Sequence, residues 1–175
     1  MRKIPLKMLI VMSFLVAINI VLVRMLPIYP TPFIRLSFGF VPIAMAGLLF
    51  GAVPAIIVAG LADVIGVLMF PSPSGYFPGL TLSAVLEGLL YGLLLYRVTD
   101  KKTLFIRILL VAILDEVFVD LLLGTFWQSV LMGRAYMALF PLRSIKILIM
   151  IAGNLIVLPL LCPQISKVYH KHSNS

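Results

Sequence analysis

Residues 39–70 read GFVPIAMAGLLFGAVPAIIVAGLADVIGVLMF, and Asp63 is the only charge among them. The stretch is either one long apolar helix or two short ones. The step Phe50-Gly51-Ala52-Val53-Pro54 decides between them, because glycine is common just past a helix end and proline fits a first turn. We expect two helices, 38–50 and 53–70, joined by a tight turn. Small residues on both sides (Ala44, Gly47, Ala55, Ala59, Ala62, Gly66) let them pack closely. The break also fixes the parity of the chain: two helices here give six spans and put both termini on one side.

The rest of the chain has the same character. Hydrophobic residues make up 62% and charged residues 11% of the 175 positions, and mean hydropathy is +1.18. Apolar runs of about 20 residues recur, the length of a bilayer helix, in place of the polar–apolar alternation of a membrane barrel. The expected fold class is an all-α integral membrane protein, a single domain over 1–175. Its bundle of six transmembrane helices lies at roughly 7–26, 38–50, 53–70, 79–97, 104–130 and 141–167. No segment outside these runs is long enough to bury a separate core, which argues against a catalytic domain outside the membrane. The run Met8 to Leu26 follows Met1-Arg2-Lys3, is long for a signal peptide, carries Asn19 and lacks a small-x-small cleavage site, so it reads as a retained first helix. Cys162 is the single cysteine, and no Cys/His cluster points to a metal. His170 and His172 lie in a polar tail.

Nine of the fourteen lysines and arginines fall on the side shared by the termini in a six-span chain: Arg2, Lys3, Lys7, Arg97, Lys101, Lys102, Arg107, Lys167 and Lys171. The positive-inside rule makes that side cytoplasmic. Arg24, Arg35, Arg134, Arg143 and Lys146 lie on or near the outer side, against the trend. Either short outer loops tolerate them or they serve an anionic ligand. The net charge of +8 adds little beyond this topology signal and offers no basic stripe for nucleic acid.

An ionisable group inside a bilayer costs about 2.5–3.5 kcal/mol on insertion scales, so each one calls for a reason. Asp63 sits eight residues before Pro71. It can accept two hydrogen bonds from an amidine-like edge such as a 2-amino-pyrimidinone, or pair with Arg24, Arg35 or Arg143. Glu116, Asp120, Gly124 and Trp127 recur at i, i+4, i+8 and i+11 and share a helix face; Asp115 points about 100° away from Glu116. On the last helix Pro141 fits the first turn, and Arg143, Lys146, Met150 and Asn154 line one side. The outward N-terminus of that helix is partly positive and reinforces its two cations. Either the acidic face simply pairs with the basic face, or the carboxylates relay protons. The loop Pro71-Ser72-Pro73-Ser74-Gly75-Tyr76-Phe77-Pro78-Gly79 is either a stiff connector with interfacial aromatics or a lid with a flat surface for a planar ring. Ser13 and Ala17 form a small-xxx-small pair, for internal packing or for a second membrane protein.

Several stretches carry a resemblance. They are Leu36-Ser37-Phe38-Gly39-Phe40-Val41-Pro42-Ile43-Ala44 with Gly47-Leu48-Leu49-Phe50-Gly51, Leu61-Ala62-Asp63, Tyr76-Phe77-Pro78-Gly79-Leu80-Thr81, Thr125-Phe126-Trp127, and Gly133-Arg134-Ala135-Tyr136 leading to Pro141-Leu142-Arg143-Ser144-Ile145-Lys146. In these the chain resembles the substrate-binding membrane subunits (S components) of energy-coupling factor vitamin transporters, most closely the folate-specific branch. The resemblance implies a prokaryotic cell-membrane protein that captures a vitamin at its outer face. Its implied partners are a coupling membrane protein, contacted through Ser13 and Ala17, and two ATPases, so this chain is no enzyme itself. Gly51-Ala52 in place of Gly-Pro, Ser13 in place of alanine, and the acids Glu87, Asp115, Glu116 and Asp120 depart from the family pattern.

The resulting expectation is a high-affinity folate-binding subunit with no cofactor of its own. Tyr76, Phe77 and Trp127 enclose the ligand, Asp63 reads the pterin edge, and Arg24, Arg143 and Lys146 hold the carboxylates; Asn154 completes the candidate set. The alternatives are an S component for another vitamin, such as thiamine or pantothenate, and a solitary proton-coupled carrier using Glu116 and Asp120.

Overall fold

The structure is a computed structural model and describes residues 5–31, 34–71, 76–98, 100–133 and 136–173. Among the described residues six helices run alternately up and down. The first, α1 (Leu6–Met25), widens in its last turn, where the Leu26 N–H donates five residues back to the Val21 carbonyl at 3.1 Å. Two short antiparallel strands, β1 (Ile28–Thr31) and β2 (Ile34–Leu36), reverse the chain. Then come α2 (Phe40–Phe50), α3 (Ala52–Met69) and α4 (Pro78–Leu95). The fifth, α5, covers 101–132 in three parts: Lys101–Leu114, a wide-turn segment Asp115–Gly124, and Thr125–Met132. The last, α6, runs Tyr136–Ser173.

The break between α2 and α3 falls on Gly51, at φ +90° and ψ −167°. Side-chain-bearing residues avoid this region, so glycine is what allows the reversal. At 11 residues α2 spans about 16 Å, well short of a hydrocarbon layer of about 30 Å. Phe40 through Leu48 are all buried. A helix that is apolar on every side must be surrounded, and α1, α3, α4 and α6 surround it. The most extensive helix pairing is α3 with α4. A Cβ at Gly88 would lie 2.7 Å from the Ala55 carbonyl oxygen, so the two backbones meet directly.

Four helical stretches, Leu6–Met25, Ala52–Met69, Pro78–Leu95 and Arg143–Ile165, are each long and apolar enough to cross a membrane. Large apolar side chains such as Leu6, Ile10, Phe14, Leu68, Leu93, Phe118 and Ile156 cover the outside, as lipid contact requires. The fifth helix is as long, but it carries Asp115, Glu116 and Asp120 and turns them inward.

The sixth helix corrects an expectation. It begins at Tyr136, so Pro141 lies within it and not in its first turn. A proline there cannot donate to the Met137 carbonyl, so the helix lacks one backbone hydrogen bond at that point. Arg143 is therefore about two turns from the N-terminus, and the helix dipole, which acts within the first turn, does not reinforce it.

At the opposite end, Arg107 Nη1 donates to the Leu94 carbonyl at 3.1 Å and closes the end of α4. Asp100 caps α5, accepting from the Thr103 N–H at 3.0 Å and the Thr103 hydroxyl at 2.9 Å. These bonds, the backbone one first, hold its carboxyl below the ordinary aspartate range. A carboxylate lowered on folding adds stability above its unfolded pKa and loses it as pH falls through the folded one. Asp100→Ala is thus expected to speed amide exchange across the first turn of α5 at neutral pH. The difference from wild type should vanish below about pH 3. Hydrogen exchange at the two pH values checks this.

Candidate functional site

The up-and-down order leaves the first turn of α1, the end of α4, the start of α5 and the end of α6 at one end of the bundle. The strands, the end of α3 and the start of α4, and the end of α5 and the start of α6 lie at the other. A cavity of about 330 Å³ opens at this second end. Its walls come from the last turns of α1, the start of α2, the second half of α3, the first half of α4, the upper part of α5 and the upper part of α6. Five of the six acidic residues line it, Asp63, Glu87, Asp115, Glu116 and Asp120, together with Arg24, Arg143 and Lys146.

Two ion-pair clusters organise these charges. The widened end of α1 carries Arg24 to α3, where its Nη2 lies 3.3 Å from Asp63 Oδ1. Thr81 donates its hydroxyl to Asp63 Oδ2 at 2.8 Å and shares a 3.2 Å hydrogen bond with the Tyr76 hydroxyl. Across the cavity Asp120 receives Arg143 Nη2 at 3.0 Å and Lys146 Nζ at 2.8 Å. Gly124 makes room for this: a Cβ there would lie 3.0 Å from Arg143 Nη2. Breaking one partner from such a part-buried cluster leaves an uncompensated charge, so each cluster rigidifies its wall.

The wide-turn segment of α5 explains why Asp115 is here at all. An ordinary helix turns about 100° per residue and would point Asp115 away from Glu116. In the i→i+5 segment Asp115–Gly124 the angular step is smaller, so residues five apart stand nearer to one face than in an ordinary helix, and Asp115 lines the same cavity as Asp120. Both Asp115 and Glu116 are buried and line the cavity. Among the described residues four buried side-chain polar atoms have no hydrogen-bond partner. Three belong to this cavity: Asp115 Oδ1, Glu116 Oε2 and Arg143 Nη1; the fourth is Thr125 Oγ1.

Of the eight candidate ligand residues, Arg24, Asp63, Arg143 and Lys146 share the cavity. The aromatics gather beside it. Phe77 and Trp127 pack at 5.5 Å between ring centroids, tilted by 59°, and Trp127 Nε1 donates to Ser83 Oγ, a cavity residue, at 3.2 Å. Tyr76 is half exposed and joins the site through Thr81. Asn154 is corrected: it is fully buried away from the cavity, where its Oδ1 accepts from the Tyr91 hydroxyl at 2.6 Å and ties α6 to α4. Ser13 and Ala17 are exposed on the outer face of α1, and the Ser13 hydroxyl is turned back to the Leu9 carbonyl at 3.0 Å, so internal packing is not their role. The Arg35 side chain, Arg134, residues 72–75 and the side chains of His170 and His172 lie outside the described residues.

Sequence reasoning passed over Asn19 as a site residue. It is buried on the cavity wall and donates Nδ2 to the Gly39 carbonyl at 2.8 Å, fixing the entry into α2. A polar amide in an apolar run was its only signal.

The family model for the ECF transporter substrate-specific component matches residues 7–162. The chain belongs to this family. This S component is 40% identical over 158 residues to the folate transporter FolT of Clostridium novyi (strain NT), covering 90% of this chain and 88% of that one. A second FolT, from Leuconostoc mesenteroides, is 26% identical over 153 residues, 85% and 80% of the two chains. Among solved structures, the crystal structure of FolT bound with folic acid superposes with a TM-score of 0.76 at 35% identity, covering 86% of this chain and 88% of that one. The S component of another bacterial ECF transporter gives 0.55 at 23% identity over 96% of both chains, a likeness of fold alone. The S component is thus a membrane transport subunit and not an enzyme.

Proposed function

We propose that this S component captures folate in the cavity at the end opposite its termini. The termini lie in the cytoplasm and the cavity faces outward, in keeping with the nine cations on the terminal side. Folate offers a flat, N–H-rich pterin and a glutamate tail with two carboxylates. One observation carries the reading: a polar cavity inside an apolar bundle is lined by three cations and five carboxyl groups, with an aromatic cluster beside it, so that it offers partners to both carboxylates and N–H donors. A site with that inventory suits a planar ligand that is also anionic, and the 40% identity to a folate transporter agrees. Arg24, Arg143 and Lys146 supply the positive charge for the tail. Tyr76, Phe77 and Trp127 enclose the ligand.

Release into the cell then requires partners. A coupling membrane protein would engage the exposed Ser13–Ala17 face of α1, where small side chains admit a close helix approach, and two ATPases would supply the energy. Mass spectrometry of whatever co-purifies with the chain expressed alone tests the ligand. Folate is the expected molecule; recovery of a different vitamin in its place would reassign the site.

A further inference from the structure

The carboxylates of the cavity are not equivalent. Both oxygens of Asp63 are engaged, one by Arg24 and one by Thr81. Both oxygens of Asp120 are engaged, by Arg143 and Lys146. Asp115 Oδ1 and Glu116 Oε2 are different: each is buried and without a partner, on residues only 7% and 4% exposed that line the same cavity. Buried polar atoms in folded proteins are nearly always hydrogen-bonded, and an unpaired one costs about 1–3 kcal/mol, more when charged. Two adjacent residues with free acceptor oxygens, brought onto one wall by the wide turn of α5, form a receptor that lacks its donors.

We infer that Asp115 and Glu116 are the ring-reading pair of the site. They accept the exocyclic amino group and the ring N–H of a 2-amino-4-oxopyrimidine edge, the role that Asp63 was expected to play. The assignment rests on the folate reading above and specifies which end of the ligand goes deepest. Glu116 lies eleven residues before Trp127, about 16 Å along an ordinary helix and less through the wide turn. The acceptor pair is therefore the floor of the cavity and the aromatic cluster its rim. The ring enters first, and the tail trails past Arg143 toward the mouth.

A site built around a ligand N–H discriminates strongly against an analogue that lacks it, because its own acceptors are then left bare. The test titrates folate, 2-desaminofolate, pterin-6-carboxylate and p-aminobenzoylglutamate into wild type, Glu116→Gln and Asp115→Asn. Melting temperature and gel filtration serve as fold controls. Wild type is expected to bind 2-desaminofolate at least about 30-fold more weakly than folate, a comparison that needs no variant. Glu116→Gln is expected to weaken folate and pterin-6-carboxylate by a similar factor and to leave p-aminobenzoylglutamate unchanged. On Glu116→Gln the penalty for removing the amino group should shrink, as coupling between the two groups demands. If wild type binds folate and 2-desaminofolate equally, or if the losses in both variants fall on the tail fragment, the ring is read elsewhere and the assignment is overturned. If wild type binds no folate, the functional reading falls, and this assignment with it.

Discussion

Arg143→Ala is expected to weaken folate binding at least about 30-fold while the purified chain stays folded. The side chain is 9% exposed, and its Nη2 is fixed on Asp120 at 3.0 Å. Its Nη1 is buried with no partner, a charged donor facing a cavity. Truncating one member of a buried, hydrogen-bonded charge pair at a binding site typically costs 2–5 kcal/mol, and every 1.4 kcal/mol is a factor of ten. The loss has two sources here: the ligand loses a donor, and Asp120 keeps only Lys146. Arg143→Lys retains charge without the fork of donors and should recover part of the affinity. Calorimetry in detergent separates the three proteins, and an unchanged affinity for Arg143→Ala would remove this residue from the site.

Ala17→Trp is expected to abolish ATP-driven folate uptake by the assembled transporter and to leave folate binding by the isolated chain intact. Ala17 and Ser13 are exposed on α1 beside Ile10 and Phe14 and stay outside the cavity lining that this helix contributes from Asn19 to Arg24. A large side chain there meets lipid in the isolated subunit and costs the fold little. Against a partner helix it prevents the close backbone approach that small residues permit. Uptake in cells or vesicles, measured alongside binding, reads both arms; uptake at the wild-type rate would place the partner contact elsewhere.

The legible parts of the sequence were those governed by local chemistry. Gly51 and Pro54 announced the α2–α3 break because a positive φ and a first-turn proline each restrict which residue can stand there. The pairing of Asp120 with Arg143 and Lys146 was one of the readings that spacing left open, and the structure makes it for Asp120 and not for Asp115 or Glu116. What failed depended on backbone detail or on distant partners. The wide turn at Asp115–Gly124 leaves no composition signal, so Asp115 could not be assigned to the cavity. The hairpin Ile28–Leu36 occupies a span too short to announce itself between helices. Asn154 lies on the right stripe of α6, yet a tyrosine 63 positions away takes it. Asp63 was recognised as one of the polar groups of the bundle, and the structure closes its oxygens with Arg24 and Thr81.

Every role given to the cavity residues depends on whether this cavity is a folate receptor. Isothermal titration of folic acid into the purified, ligand-free chain measures that directly. One saturable site per chain, with Arg143→Ala and Glu116→Gln both weakened, is the expected result. Absence of heat with folate, in a folded preparation that binds thiamine or pantothenate, would contradict it.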